Sequence, residues 1–145
     1  MIPVDELIVD RVEDAGGGCR RGVMAPADVP VPAPAQFYML RGADWGEDPL
    51  LPRPFSIARV GRDPVSGLPV LEFLLKVVGR GTARLSACGA GDRVWATGPL
   101  GRPFSAPPGE AWMVAGGIGI APFPETAAAS ETTPGSSSWA LGAPR

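Results

Sequence analysis

The sequence predicts a mainly β protein: a small antiparallel barrel of six short strands with one short helix, followed by the first strand of an α/β domain. Three observations carry this. Short runs rich in apolar and β-branched residues recur with turn residues between them over roughly the first 105 residues. Only one stretch in that region, residues 82–88, reads as a helix. The run at 111–117, "AWMVAGG", is apolar on both faces and opens onto "GGIGIAP", as a buried parallel strand meets a glycine-rich loop.

The elements follow in order. "VDELIVDRV" (4–12) alternates partially and forms the first strand. "CRRGVMAP" (19–26) is a second strand whose apolar end turns inward. The spaced prolines of "ADVPVPAPA" do not suit a central strand and predict an extended surface linker. "QFYMLRG" (36–42) is a compact strand, and "ADWGEDPLLP" is a loop. "RPFSIARVG" (53–61) begins at an edge or bulge because its second residue is proline. "RDPVSGL" turns the chain into "PVLEFLLKVVG" (69–79), the most apolar and central strand. Thr82 then caps a helix that stops near Gly89. "DRVWATG" (92–98) is the sixth strand, and "SAPPGE" marks a boundary before the run at 111–117. After Pro122 the apolar period fails. "FPETAAASETTPGSSSWALGAPR" is rich in Ala, Ser, Thr, Gly and Pro, a composition that predicts disorder. The expected division is a barrel domain over 1–108, the start of an incomplete second domain over 109–123, and a low-complexity tail over 124–145.

Composition excludes several function classes. The net charge of −2 gives no basic face for nucleic acid. There is no histidine, so Ser-His-Asp triads and histidine metal sites are excluded, and any redox chemistry must come from a bound cofactor. Cys19 and Cys88 are far apart and match no zinc or CxxC spacing, and Cys88 reads as a small apolar residue on the helix. No catalytic side chain and no metal ligand is expected. The N-terminus has no signal pattern and no run approaches the ~20 apolar residues of a membrane span, so a cytoplasmic protein without membrane contact is expected.

Three motifs carry chemistry. In Gly79-Arg80-Gly81-Thr82, glycines allow close backbone approach and the helix that follows offers unpaired amides, a setting that binds phosphate. Plain turn chemistry fits those residues equally well. Arg53-Pro54-Phe55-Ser56 places a guanidinium, suited to phosphate oxygens, on one strand face with Phe55. A surface arginine beside a core phenylalanine is the plainer account. Gly116, Gly117 and Gly119 follow the buried run, but Pro122 stands where the usual GxGxxG has its third glycine.

Taken together, "AQFYMLRG", "RPFSIARV", "LLKVVGRGT", "GDRVWATGPLGRPF" and "WMVAGGIGIAP" occur in the order seen in ferredoxin–NADP reductase-like flavoproteins. Within that group, over roughly residues 4–122, the chain most resembles the electron-transfer subunits of bacterial dihydroorotate dehydrogenase, which serve pyrimidine biosynthesis. The resemblance implies a Greek-key barrel that binds FAD. It implies that Arg53 contacts the phosphates, that Pro54 lies beside it, that Phe55 packs on the flavin ring and that Ser56 bonds near the flavin N5. Lys76, Val77 and Val78 would run along the cofactor, with Gly79, Gly81 and Thr82 on the pyrophosphate. Gly98 to Gly101 would shape the barrel's exit, and Gly116, Gly117 and Gly119 would start a nicotinamide-nucleotide domain. Electrons would pass from NAD(P)H through FAD and a [2Fe–2S] centre to the catalytic subunit, the implied partner.

The chain departs from the family pattern in three places. Phe55 lacks a phenolic hydroxyl. "PAQF" (34–37) stands where the family often has "PGQF". The complete α/β domain and the cluster of ligand cysteines are not in this sequence, so the chain alone is expected not to complete electron transfer. A frameshift after Phe123 would account for the tail. Translation of the encoding DNA in all frames tests this; the absence of a downstream frame that resumes an α/β pattern with clustered cysteines rejects it. The alternatives are another NAD(P)H-flavin reductase, of ferredoxin or hydrogenase type, and a cofactor-free barrel that uses 111–117 as an association edge.

Overall fold

A computed structural model describes residues 4–104 and 112–131. Six strands are present: β1 (Val4–Gly16), β2 (Cys19–Met24), β3 (Phe37–Gly42), β4 (Arg53–Arg62), β5 (Pro69–Lys76) and β6 (Arg93–Leu100). Helix α1 (Arg80–Ser86) lies between β5 and β6. A 3-10 turn at Gly117–Ile120 and helix α2 (Phe123–Glu131) follow. The strands close into a barrel in the order β1-β2-β5-β4-β3-β6, each pair antiparallel. The neighbours β2–β5 and β3–β6 are not consecutive in sequence, which is the crossover of a Greek key.

Period-two alternation, clearest in β3 and β5, turns one side of the strands into the barrel. Leu7 and Val9, Tyr38 and Leu40, Phe55 and Ile57, Leu71, Phe73 and Leu75, and Val94 and Ala96 form the core. Tyr38 and Phe73 meet edge to face, with ring centroids 6.1 Å apart. The Tyr38 ring lies against Gly98: a Cβ there would stand 2.4 Å from a ring carbon. The Tyr38 hydroxyl donates to the Pro30 carbonyl at 3.0 Å. Helix α1 closes one end of the barrel by inserting Leu85 into the core.

The structure corrects four expectations. The proline-rich linker carries no regular structure, but Val29 tucks into the core, so this segment closes part of the barrel surface. Helix α1 begins at Arg80 after an N-cap at Gly79, which places Thr82 at the third helical position rather than at the cap. Residues 112–116 form no strand, and Trp112 and Val114 are 88% and 89% exposed. A closed barrel has no free edge to pair with such a run, and a lone strand buries neither face. The expected low-complexity tail begins with helix α2, while its remainder, residues 132–145, lies outside the described residues. Alanines in "ETAAAS" favour the helix, and its docking supplies what propensity alone does not. Glu125 accepts a hydrogen bond from the Val60 amide at 2.7 Å, just past a register shift in β4.

Candidate functional site: a groove where β4 and β5 part

The β4–β5 ladder ends at the pair Ile57↔Phe73. Beyond it, residues 53–56 pair only with β3, and residues 74–76 pair only with β2. The two strands therefore splay apart at the end where β4 begins and β5 finishes. Arg53, Pro54 and Ser56 stand on one lip of this opening. Lys76, Val77, Val78 and the turn into α1 stand on the other. The sequence motifs "RPFS" and "KVVGRGT" thus meet at one place.

Arg53 and Gly81 make the closest junction across the groove. A Cβ on Gly81 would lie 3.1–3.3 Å from the Arg53 guanidinium, so glycine here gives the guanidinium its seat. Arg53 also donates to the Leu51 carbonyl. The first i→i−4 bond of α1 runs from Ala83 N–H to the Gly79 carbonyl at 2.9 Å, so the amides of residues 80–82 have no i−4 partner within the helix. Among the described residues, Arg53 and Lys76 form no ion pair, whereas Arg80 is bridged to Asp48 at 2.7 Å. Val77 and Val78 are 49% and 78% exposed, an apolar surface directly after β5.

Thr82 does a different job from the one the sequence assigned. Its hydroxyl accepts from Val78 N–H at 2.9 Å and Gly79 N–H at 3.1 Å, and donates to the Gly79 carbonyl at 3.0 Å. These bonds let Thr82 brace the turn that leads into α1. Gly79 is fully extended, and a Cβ there would meet nothing. Of the two glycines, only Gly81 lies where a Cβ would crowd the Arg53 guanidinium. Phe55 lies in the barrel core at 7% exposure, not on the groove surface. Ser56 is half-buried opposite Phe37. Gly116 precedes the 3-10 turn that contains Gly117 and Gly119, and a Cβ at any of the three would meet nothing within 4 Å.

The sequence reading placed a loop between β3 and β4 but not the contacts that fix it. Arg41 donates to the carbonyls of Gly42, Gly46 and Pro49 and fixes its course. The Arg84 guanidinium lies over the Trp45 ring at 5.0 Å and donates to the Asp48 carbonyl at 2.7 Å. Two arginines four residues apart on α1 thus converge on one aspartate, a spacing visible in the sequence but without a partner until the loop is placed. A separate cleft of about 210 Å³ lies on the other side of this loop and includes Trp45, Arg84, Cys88 and Asp92. Burial, with help from Asp92 and Asp44, pushes the Cys88 thiol above its ordinary range, which disfavours the thiolate. The groove between β4 and β5 is open and does not coincide with this cleft.

The groove's donor set fits a pyrophosphate: an arginine without a carboxylate partner, adjacent free amides, and a glycine where a side chain would intrude. No family model matches the chain. Among known proteins, it is 47% identical over 101 residues to the dihydroorotate dehydrogenase B (NAD(+)) electron transfer subunit of Desulforamulus reducens, covering 68% of this chain and 37% of that one. It is 43% identical over 92 residues to the same subunit of Clostridium acetobutylicum, covering 62% and 34%. The chain therefore spans a little over a third of the length of these curated relatives. Among solved structures, the ferredoxin reductase of carbazole 1,9a-dioxygenase superposes with a TM-score of 0.73 at 25% identity, over 91% of this chain and 41% of that one. A cytochrome P450 reductase from Amycolatopsis gives 0.69 at 28% identity, over 92% and 41%. Over about two thirds of its length the chain is thus a homologue of the dihydroorotate dehydrogenase B electron transfer subunits, built on the barrel of ferredoxin reductase-like flavoproteins.

Proposed function

We propose that the protein holds FAD in the groove between β4 and β5 and acts as the flavin-binding part of an NAD(P)H-dependent electron-transfer subunit whose partner is the catalytic subunit of a dihydroorotate dehydrogenase. The observation that carries this reading is the Arg53 guanidinium seated on Gly81 at the mouth of the splayed strands. Arg53 binds the pyrophosphate, joined by the amides at the start of α1. Val77 and Val78 cover an apolar ring face that would otherwise leave them in water. Backbone groups at 53–56 and 74–76, unused by a β4–β5 ladder, meet the polar edge of the ring, with Ser56 at the position nearest the redox centre. Bound FAD supplies the redox chemistry that no side chain of this histidine-free protein offers.

The last barrel strand ends at Leu100, and Gly116–Pro122 would open the region that binds the nicotinamide nucleotide. An iron–sulfur cluster takes four cysteine ligands and the chain carries two, so we assign it no cluster. Both cysteines are free, in keeping with a reducing cytoplasm. No described helix is long and apolar enough to cross a membrane.

Titration with FAD, followed by flavin fluorescence, tests the reading. Replacing Arg53 with Ala removes a charge-assisted contact worth about 1.5–3 kcal/mol and weakens binding by about 10- to 100-fold. A chain that melts cooperatively but leaves flavin fluorescence equal to that of free FAD at every concentration rejects it.

A further inference from the structure

The proposed anion site is assembled from two pieces that the sheet does not hold together. One piece is the end of the β3–β4 loop, Leu51 to Arg53. The other is the turn and first residues of α1. Because the β4–β5 ladder stops at Ile57↔Phe73, no strand pairing fixes the distance between them. Helix α1 has seven residues and buries Gly81, Thr82 and Leu85 on its inner face, of which Leu85 joins the core cluster.

The restraint comes from the outer face of α1. Arg80 bridges the Asp48 carboxylate at 2.7 Å, Arg84 donates to the Asp48 carbonyl at 2.7 Å, and the Arg84 guanidinium lies over the Trp45 ring at 5.0 Å. The loop they grip is itself rigid. Arg41 holds the carbonyls of Gly46 and Pro49 on either side of Asp48. The Trp45 ring lies on Gly42, where a Cβ would come within 2.0 Å of the indole nitrogen. The Arg80 bridge is the weaker grip, with both side chains well exposed at 80% and 66%. Arg84 combines a bond to a backbone carbonyl with a stacked aromatic, a geometry that depends on the planar guanidinium.

We propose that Arg84 is a positioning residue for the cofactor: it locks α1 to the β3–β4 loop and so sets Gly81 under Arg53, without touching the cofactor itself. The inference rests on the FAD reading above.

The test measures FAD affinity of the full chain with four variants: Arg84→Ala, Arg84→Lys, Arg53→Lys and the double variant Arg84→Ala/Arg53→Lys. Arg84 is exposed, and circular dichroism with a thermal melt checks that each variant folds. The expected result is a loss of about 5- to 10-fold for Arg84→Ala at an unchanged melting midpoint. Arg84→Lys, which keeps a donor but not the flat stack, recovers part of it. In the Arg53→Lys background the Arg84→Ala loss shrinks, because there is no longer a seated guanidinium to misplace. An unchanged affinity for Arg84→Ala, or an equal loss in both backgrounds, overturns the proposal while leaving FAD binding standing. Absence of FAD binding in the unaltered chain overturns the underlying reading instead.

Discussion

Single positions show where backbone and space constrain this protein. Ala35 holds a φ of 70°, in the left-handed region where a Cβ is strained. It sits in the "PAQF" stretch whose second residue is often glycine in the family the sequence resembles. Ala35→Gly is therefore expected to raise stability by about 1 kcal/mol, read from urea denaturation. Gly81→Ala separates binding from stability. A methyl group improves helix propensity by up to about 1 kcal/mol, yet it pushes the mobile end of Arg53 off its seat. The variant should melt no lower than the parent and bind FAD more weakly. Gly98→Ala drives a methyl into the Tyr38 ring and should cost about 1–3 kcal/mol or more. Tyr38 is pushed up to about 12 by burial, with a smaller contribution from Asp5. Its folded pKa exceeds its unfolded value, so the stability it contributes is complete below pH 10 and is lost as pH rises from about 10 to about 12. Replacing it with Phe should remove that alkaline loss.

At the scale of elements, alternation made the strands legible. "FYML" and "LEFLL" put every second residue into the core as the pattern required. What escaped the sequence depends on distant partners. The start of α1 was misplaced because a threonine before an apolar run looks like a cap. Here Thr82 reaches back to amides at 78 and 79 instead. The run at 111–117 is apolar enough for a buried strand, yet pairing needs an edge and the barrel offers none. Helix α2 sets a carboxylate on a sheet amide, a contact between Glu125 and Val60 that no local pattern announces. Glu125→Ala should speed hydrogen exchange at the Val60 amide while leaving the Ile57↔Phe73 pair protected. The β4–β5 turn carries its own titration. Asp63 accepts from Val65 N–H, Ser66 N–H and the Ser66 hydroxyl, and the Ser66 backbone bond is the first cause of its lowered pKa. A depressed carboxylate contributes stability above its unfolded value, near 3.8, and loses it as pH falls through the lower folded value. Protection of the turn amides, relative to their intrinsic exchange rates, should fall over that acid range, and Asp63→Asn should abolish that fall.

For the whole molecule, the central claim is that a closed barrel opens one groove between two of its strands and that a dinucleotide flavin lies there. The candidate site was half legible. The types and spacing of Arg53 and Gly81 pointed to it and the family resemblance added Val77 and Val78, whereas the contacts by which Arg41 and Arg84 hold the β3–β4 loop became visible only when β3 and β4 were placed. The most direct measurement is residue-resolved amide hydrogen exchange of the full chain with and without FAD. The account predicts new protection concentrated at residues 53–56 and 74–82, with the outer face of β1 and β6 unchanged. Protection centred instead on the cleft beside Trp45 and Cys88, or no change at saturating FAD, would contradict it.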